Sequence, residues 1–379
     1  MDALTGEQRA IVAAVREFAE AELAPNALEW DRTGFFPVDA LRKAGELGLG
    51  GVYVRDGYGA GLSRLDATYV FEALARADPT IAAYMSIQNM VAWMIDRYGD
   101  DELRARWLPG LASFELRASY CLTEAEAGSD AASLRTRAVT DGDDYVITGE
   151  KQFISGAGSS DVYVVMARTG EPGPKGITAI AVPGTASGLE FGPEEKKMGW
   201  HAQPTRRVTF DGVRVPRANR LGVEGEGFAI AMVGLNGGRV NIGACSLGGA
   251  QWAFERTVAY LKQRRAFGEP LATQEVLVFR LADMRTRLEA ARGLLQRAAA
   301  ALDAGDADAV ELCAMAKRFA TDAGFEVANQ ALQLHGGYGY LSDYGIEKVV
   351  RDLRVHQILE GTNEIMSLIV GRSIIRNGR

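Results

Sequence analysis

The sequence predicts an α+β fold in which two helical domains enclose one small β domain. The chain has 379 residues, which is enough for two or three packed units. Hydrophobic residues make up 47% and charged residues 24% of it, as is usual for a globular protein with a large core. The apolar pattern changes near residue 118 from a helical period to alternation, and it returns to a helical period after Gly227. We therefore expect domains at 1–118, 119–225 and 226–379.

In the first domain, helical periodicity runs from Gly6 to about Tyr98. Cap and breaker residues divide it into several helices. These residues are Thr5, Pro25, Pro37, Gly48 and the pair Asp78-Pro79. After Thr5, the clearest helical stretches are 38–47, 65–77 and 81–98.

The central domain contains short stretches of alternating apolar residues, separated by turn residues. The stretches are 145–148, 162–166, 177–182 and 207–210. This spacing predicts a small antiparallel barrel or sandwich. The pattern contains no strand–helix–strand unit, which argues against a Rossmann nucleotide site.

Helical periodicity returns in the third domain. It covers 228–235, 241–262, 274–304, 307–334 and 363–375. The stretch 241–262 is rich in glycine, alanine and serine, so we expect neighbouring helix backbones to approach it closely.

Composition excludes several classes of function. The chain has 42 Lys and Arg against 49 Asp and Glu, and a net charge of −7 argues against a surface that binds nucleic acid or an anionic membrane. Three cysteines and three histidines lie far apart, without the spacings of a zinc site, so we expect no bound metal and no disulfide framework. No run of 18 apolar residues suggests a membrane span, and the start of the chain does not resemble a targeting signal. We expect the cytoplasm of a bacterium.

Two segments of the central domain are candidate ligand contacts. At 120–130, Gly128 and Ser129 form a turn whose amide and hydroxyl suit a phosphate or a polar ring edge. By itself this segment is better interpreted as an ordinary loop in which Ser129 and Asp130 cap a turn. At 152–158, an aromatic, a β-branched residue and a hydroxyl precede glycines, which suits a flat heterocycle at a strand end. A plain hairpin with Phe153 in the core is an equally good interpretation.

The third domain contains a glycine-rich segment after a long helix. Gly336, Gly337 and Gly339 exceed what a helix C-cap needs, which suggests a bulky group against the backbone. His335 at the helix end is interpreted as a packing residue. Arg239 and Arg264 stand beside glycines or a helix end and are candidate phosphate contacts, although solvated helix-end cations are individually more common.

Glu360 is the candidate general base. It follows the apolar pair 358–359 and precedes a helix start at 361–363. A carboxylate among apolar neighbours tends to have a raised pKa, which suits proton abstraction. The alternative role, a helix-capping acid, fits Glu364 better because capping acids follow the cap residue.

Together these segments resemble the acyl-CoA dehydrogenase family over nearly the whole chain. The glycines after Gln333, with Asp343, Lys348 and Asp352, match the family's C-terminal signature, and 120–130 matches its other signature except for Ala125 in place of proline. The resemblance implies a helical domain, a β domain and a C-terminal four-helix bundle, with FAD bound between them. It also implies a homotetramer that passes electrons to an electron-transferring flavoprotein.

The resemblance also implies roles for individual residues. The implied FAD contacts, some in a neighbouring subunit, are Tyr120, Leu122, Thr123, Gly128, Ser129, Phe153, Ile154, Ser155, Arg264, Gln274, Gln333, Gly336, Gly337, Thr362, Asn363 and Glu364. The implied acyl-CoA contacts are Ser129, Asn236, Gly237, Gly238, Arg239 and Arg372. Gln274 stands one place before the family's flavin-contacting glutamine, where this chain has Glu275. Gly238 occupies the place where some members carry the base, which leaves Glu360 for that role.

Within the family, several segments are most like members that act on short branched acyl groups. They are 153–158, 162–166, 173–176, 234–239 and 356–364. The implied reaction oxidises isobutyryl-CoA to methacrylyl-CoA, a step of valine breakdown. Alternatives are 2-methylbutyryl-CoA or butyryl-CoA as substrate, a flavin oxidase or monooxygenase, and a non-catalytic CoA-binding scaffold, against which Glu360 counts.

Overall fold

The computed structural model describes residues 4–378, except for the side chain of Asn377. Met1 to Ala3, which the prediction about targeting signals includes, and Arg379 lie outside the described residues. The predicted order of helical, β and helical parts is confirmed. Within the described part of the chain, no helix combines the length and the hydrophobicity that crossing a membrane requires.

From residue 4 onward, six α-helices form the N-terminal part, and a π-helical turn at Ala19–Leu23 follows the first of them. They are α1 Gly6–Phe18, α2 Ala27–Thr33, α3 Val38–Glu46, α4 Arg64–Ala77, α5 Pro79–Tyr98 and α6 Asp101–Ala112. Thr5 caps α1 by accepting a hydrogen bond from the Gln8 amide, and Asp78 caps α5 by accepting one from the Thr80 amide. Most of α5 is buried, since it lies between the other helices and the β domain.

The central part is one mixed sheet. Its strands are β1 Ala118–Cys121, β2 Arg137–Asp141, β3 Asp144–Ser155, β4 Val162–Arg168, β5 Ile177–Pro183, β6 Leu189–Glu194, β7 Thr205–Pro216 and β8 Arg220–Leu221. The path runs β6-β7-β3-β2-β4-β5-β8, and β1 pairs with β4. The prediction of an antiparallel barrel or sandwich was wrong for two pairings, because β4 runs parallel to both β1 and β2. The whole β2–β3 hairpin lies between β1 and β4 in the chain, which supplies the long connection that parallel strands need.

The sheet folds around its own core. In the described chain, strand pairing between β2 and β4 joins its two halves at Arg137–Arg168, and side chains of both halves share one apolar cluster. Strands β4 and β5 are buried on both faces, because their other face packs against α5, α6 and the first helix of the C-terminal part. One wall of the β domain is therefore fixed against two helical layers.

The C-terminal part contains α7 Gly227–Gln263, α8 Glu275–Ala304, α9 Ala309–His335, α10 Ile346–His356 and α11 Asn363–Asn377, with a short hairpin of β9 Arg265–Ala266 and β10 Glu269–Pro270. The predicted break between 228–235 and 241–262 was wrong, since α7 is a single helix of 37 residues. Gly237 and Gly238 lie inside it instead of forming a turn. The expected close approach is confirmed, because a Cβ on Gly248 would lie 2.3 Å from the Glu72 carbonyl oxygen on α4.

Candidate active site

A cavity of about 220 Å³ lies where α5, the β domain, α7 and the segment before α11 meet. It brings together ten residues singled out from the sequence. They are Tyr120, Leu122, Thr123, Gly128, Ser129, Phe153, Ile154, Ser155, Arg239 and Glu360. The remaining wall is mostly apolar and comes mainly from α5 and α7, with single residues from α11 and from loops. The cavity therefore combines an apolar chamber with one carboxyl group.

Glu360 lies in the short connection between α10 and α11, in an unusual backbone conformation. Its φ of 56° is in the left-handed region, where a non-glycine residue is disfavoured by about 1 kcal/mol or more. The Glu360 carbonyl accepts a hydrogen bond from Arg239 Nε at 3.2 Å, while Arg239 Nη1 donates to Asn236 Oδ1 at 2.7 Å. The Glu360 amide has no hydrogen-bond partner within residues 4–378. The side chain and the amide of Glu360 are thus both left for a ligand.

The Glu360 carboxyl has the properties of a general base. Burial raises its pKa to about 7, against the opposing effect of the positive charges on Arg239 and Lys317. Its Oε2 atom is buried and has no hydrogen-bond partner in the described part of the chain. Helix capping does not explain Glu360, because Thr362 caps α11 by accepting a hydrogen bond from the Ile365 amide. A carboxyl group whose pKa is near neutral pH and whose oxygen has no hydrogen-bond partner is suited to accept a proton.

Gly238 on α7 lies directly against the Glu360 carboxyl. A Cβ on Gly238 would lie 2.4 Å from Glu360 Oε2, and a Cβ on Gly237 would lie 2.4 Å from Arg64 Nη1. These glycines therefore make room for side chains of other segments, at a cost of about 1 kcal/mol each in helix propensity. This close approach explains why two glycines occur in a helix without ending it.

Phe153 and Trp200 lie on the same cavity, and both have a positive φ, of 60° and 57°. Phe153 is 63% exposed, so the interpretation that placed it in the core of a plain hairpin was wrong. The Trp200 amide donates to Asp352 Oδ1 at 2.7 Å, and Trp200 Nε1 is buried without a hydrogen-bond partner in the described chain. Trp200 is a site residue that the sequence motifs did not include.

A buried ion pair supports the loop after β1. Lys151 is fully buried on β3 and donates from Nζ to the Leu122 carbonyl at 2.9 Å and to Glu124 Oε1 at 2.8 Å. Glu124 in turn accepts from the amides of Arg135 and Thr136. The cavity-lining residues of this loop are thereby fixed to β3, the strand that carries Phe153. Nothing in the sequence pattern identified this pair.

A second cavity, of about 690 Å³, lies beside the end of α9. It brings together Arg264, Gln333, Gly336 and Gly337, four of the implied FAD contacts. A Cβ on Gly336 or Gly337 would meet no atom within 4 Å, so their backbone has free space beside it. His335 stacks on Tyr260 with ring centroids 4.4 Å apart, which agrees with its interpretation as a packing residue.

Other predicted site residues lie outside these two cavities or are held by protein contacts. Gln274 is at the N-cap position of α8, and Glu275 is exposed beside it. Glu364 and Arg372 are exposed on α11. The Asn363 side chain is bound to α9, where Oδ1 accepts from Lys317 Nζ and Nδ2 donates to Asp322 Oδ1. Roles for these residues in binding a cofactor or a substrate remain predictions.

Comparison with known proteins places the chain in a family. Models of the N-terminal, middle and C-terminal domains of acyl-CoA dehydrogenase match residues 5–115, 119–213 and 225–375. The chain is 54% identical to mitochondrial isobutyryl-CoA dehydrogenase of Bos taurus over 98% of its length and 90% of that protein. It is 51% identical to mitochondrial isobutyryl-CoA dehydrogenase of Dictyostelium discoideum over 99% of its length and 90% of that protein.

Solved structures show the same fold. A chain in the structure of the electron transferring flavoprotein of Acidaminococcus fermentans matches with a TM-score of 0.96 at 38% identity, covering 98% of this chain and 99% of that one. A glutaryl-CoA dehydrogenase from Mycobacterium smegmatis in complex with FADH2 matches with a TM-score of 0.92 at 28% identity, covering 98% and 95%. Three consecutive domain models and relatives that are more than half identical show that the chain belongs to the acyl-CoA dehydrogenase family.

Proposed function

We propose that the chain catalyses the FAD-dependent α,β-dehydrogenation of a short branched acyl-CoA, converting isobutyryl-CoA to methacrylyl-CoA. The observation that carries this proposal is Glu360, whose carboxyl has a buried Oε2 and a pKa raised to about 7 and lies on an otherwise mostly apolar cavity. An acyl α-hydrogen is a very weak acid, so its removal needs a base of raised pKa and a group that stabilises the developing negative charge.

The residues around the cavity fit FAD. Tyr120 Oη, Trp200 Nε1 and Glu360 Oε2 are buried polar atoms without a hydrogen-bond partner among residues 4–378, which is costly unless a ligand pairs with them. Phe153 presents an exposed ring beside these groups. Residues 120–129 and 153–155 would hold the flavin, and Arg264 with 333–337 would hold another part of the cofactor. When bound, FAD supplies the capacity to accept a hydride from the β-carbon.

Glu360 would act through two of its groups. Its carboxylate would remove the α-proton, and its unpaired amide would donate a hydrogen bond to the thioester carbonyl. Arg239 would hold the Glu360 carbonyl, so that the amide of the same residue keeps a fixed direction. The apolar side chains of α5 and α7 would surround the acyl group and exclude water from it.

The identity of the acyl group and of the partners is the finer part of the proposal. Identities of 54% and 51% to isobutyryl-CoA dehydrogenases support isobutyryl-CoA over 2-methylbutyryl-CoA or butyryl-CoA. We infer that an electron-transferring flavoprotein takes the electrons and that the enzyme is a homotetramer, both from the family resemblance. The bacterial cytoplasm stays a prediction, since both of these relatives are mitochondrial proteins.

An anaerobic titration tests the substrate directly. The FAD-loaded protein is mixed with isobutyryl-, 2-methylbutyryl- and butyryl-CoA, and the loss of visible flavin absorbance is recorded. Isobutyryl-CoA is expected to reduce the flavin fastest. Equal or faster reduction by the straight-chain butyryl-CoA would overturn the choice of a branched substrate. Rapid reoxidation of the reduced, product-bound protein by oxygen would instead identify a flavin oxidase.

A further inference from the structure

Helix α9 carries a buried lysine beneath the segment that contains Glu360. Lys317 has no exposed surface, and its Nζ donates to the Gly361 carbonyl and to Asn363 Oδ1, each at 2.8 Å. Lysines are almost never fully buried unless they are paired with an anion. The oxygen atoms that Lys317 contacts belong to neutral groups, so its charge is not neutralised by a direct ion pair.

The segment that Lys317 holds is the strained one. Glu360 and Gly361 have φ values of 56° and 91°, so two consecutive residues are in the left-handed region. Their two carbonyl groups are held by different cations, since Arg239 on α7 donates to that of Glu360 and Lys317 on α9 donates to that of Gly361. Strained backbone persists where surrounding groups fix it from several sides.

We propose that Lys317 is a positioning residue for the general base: it fixes the Glu360–Gly361 backbone from α9 and supplies a positive charge that favours the ionised Glu360 carboxylate. This inference rests on the proposed function, in which Glu360 removes the α-proton. Arg239 is the second cation that holds this segment. It donates from α7, whereas Lys317 donates from α9.

The charges around Glu360 are few. The ionisable groups that face it come from four segments and are Arg239 on α7, Lys317 on α9, Tyr120 on β1 and Tyr53 before α4. Burial raises the pKa of both tyrosines, so they stay neutral.

Lys317 itself faces Glu360, Arg239, Asp322 and Glu364. Burial lowers its pKa to about 8, while Glu360 opposes that effect. Two cations thus favour ionisation of the Glu360 carboxyl, and of these only Lys317 can lose its charge near neutral pH.

The test compares Lys317→Gln and Lys317→Met with two controls. Lys317→Arg keeps the charge, and Thr321→Val removes a neutral hydrogen bond to the same Asn363 side chain. The rising limb of kcat/KM against pH is measured for each FAD-loaded variant. In Lys317→Gln and Lys317→Met we expect the rising limb to move up by about one pH unit, because the positive charge that lowers the pKa of Glu360 has been removed. Lys317→Arg and Thr321→Val are expected to keep the wild-type limb.

A rising limb of the pH profile that stays in place in Lys317→Gln would overturn the proposal. A rising limb that moves as far in Lys317→Arg as in Lys317→Gln would overturn it too. If Lys317→Met does not fold, Lys317→Gln, which keeps a hydrogen-bond donor, decides the question. A double-mutant cycle that measures unfolding temperatures does not depend on catalysis. At pH 7.5, Glu360→Gln should raise the unfolding temperature more in the Lys317→Gln background than in wild type. At pH 5 the two increases should be equal. Absence of that coupling counts against Lys317, whereas a wild-type protein that reduces no acyl-CoA counts against the proposed function.

Discussion

Glu360 and Phe153 line the same cavity, and both are in the left-handed region of backbone conformation. For side chains of this size such a conformation costs free energy, so other contacts must impose it. At Glu360 the contacts are visible as the hydrogen bonds from Arg239 and Lys317 to consecutive carbonyl groups. The left-handed conformation directs the Glu360 carboxyl group into the apolar chamber, just before the start of α11.

At Gly238 we predict that alanine impairs the reaction and leaves the fold intact. The added Cβ would lie 2.4 Å from Glu360 Oε2, so the carboxyl group has to move away from its present place. A displacement of the base by about 1 Å can lower the rate about 100-fold. Steady-state kinetics with isobutyryl-CoA, together with the FAD content of the purified variant, measures the effect.

Gly293→Ala is the matched control for this variant. Gly293 lies on α8, and a Cβ there would meet no atom within 4 Å of the chain. Alanine should therefore stabilise the helix by about 0.5–1 kcal/mol and leave turnover unchanged. Wild-type kinetics in Gly238→Ala would show that the carboxyl group does not need the space that the glycine provides.

At the scale of elements, the β domain and the loop after β1 are joined by the buried pair of Lys151 and Glu124. We predict that Lys151→Met lowers the free energy of unfolding by about 3–5 kcal/mol, because it leaves a buried carboxylate without its cation. It should also weaken FAD binding, since the Leu122 carbonyl loses its donor. Denaturant unfolding and the ratio of FAD to protein are the measurements.

The double variant Lys151→Met with Glu124→Gln separates charge from packing. A neutral amide removes the unpaired charge and keeps an acceptor for one of the two backbone amides, since Arg135 donates to Oε2 and Thr136 to Oε1 of Glu124. Part of the lost stability should return. A double variant that is less stable than Lys151→Met would contradict the assignment of the loss to an uncompensated carboxylate.

At the scale of the whole molecule, stability should depend on pH through Glu360. Its pKa in the folded protein, about 7, is above the value of about 4.3 expected in the unfolded chain. The fold therefore favours the neutral carboxyl, and this stability is present below about pH 4.3 and lost as pH rises through about 7. Glu360→Gln has no such loss, so its unfolding temperature should exceed that of wild type by a margin that grows from pH 5 to pH 8.5. A margin independent of pH would contradict the raised pKa.

Periodicity and turn chemistry, which are local signals, predicted the order of helical and β parts, the cap at Thr5 and the break at Asp78-Pro79. The family resemblance supplied most of the ten predicted residues that line the first cavity. The sequence pattern did not predict the parallel pairing of β1 with β4, since register depends on contacts distant in sequence. Gly237 and Gly238 were misjudged for a related reason: the side chains that need the space belong to other segments.

The residues that support the site were missed for the same reason. Lys151, Lys317 and Trp200 became recognisable only when the fold brought them to Glu124, Gly361 and the cavity. One signal was available for Lys317, which stands on the apolar side of a helix in a chain with few lysines. Burial of a charged residue can be suspected from such a position, but its partner cannot be read from it.

The most direct test of Glu360 as the base is anaerobic mixing of Glu360→Gln with isobutyryl-CoA. Glutamine keeps the side-chain shape and the backbone amide of residue 360, so the variant should retain FAD and bind acyl-CoA. It cannot take the α-proton at a useful rate. The loss of visible flavin absorbance should be slower than in wild type by a factor of about 100–10,000. Bleaching at close to the wild-type rate would contradict the role of Glu360 as the base, because another group would then have to remove the proton.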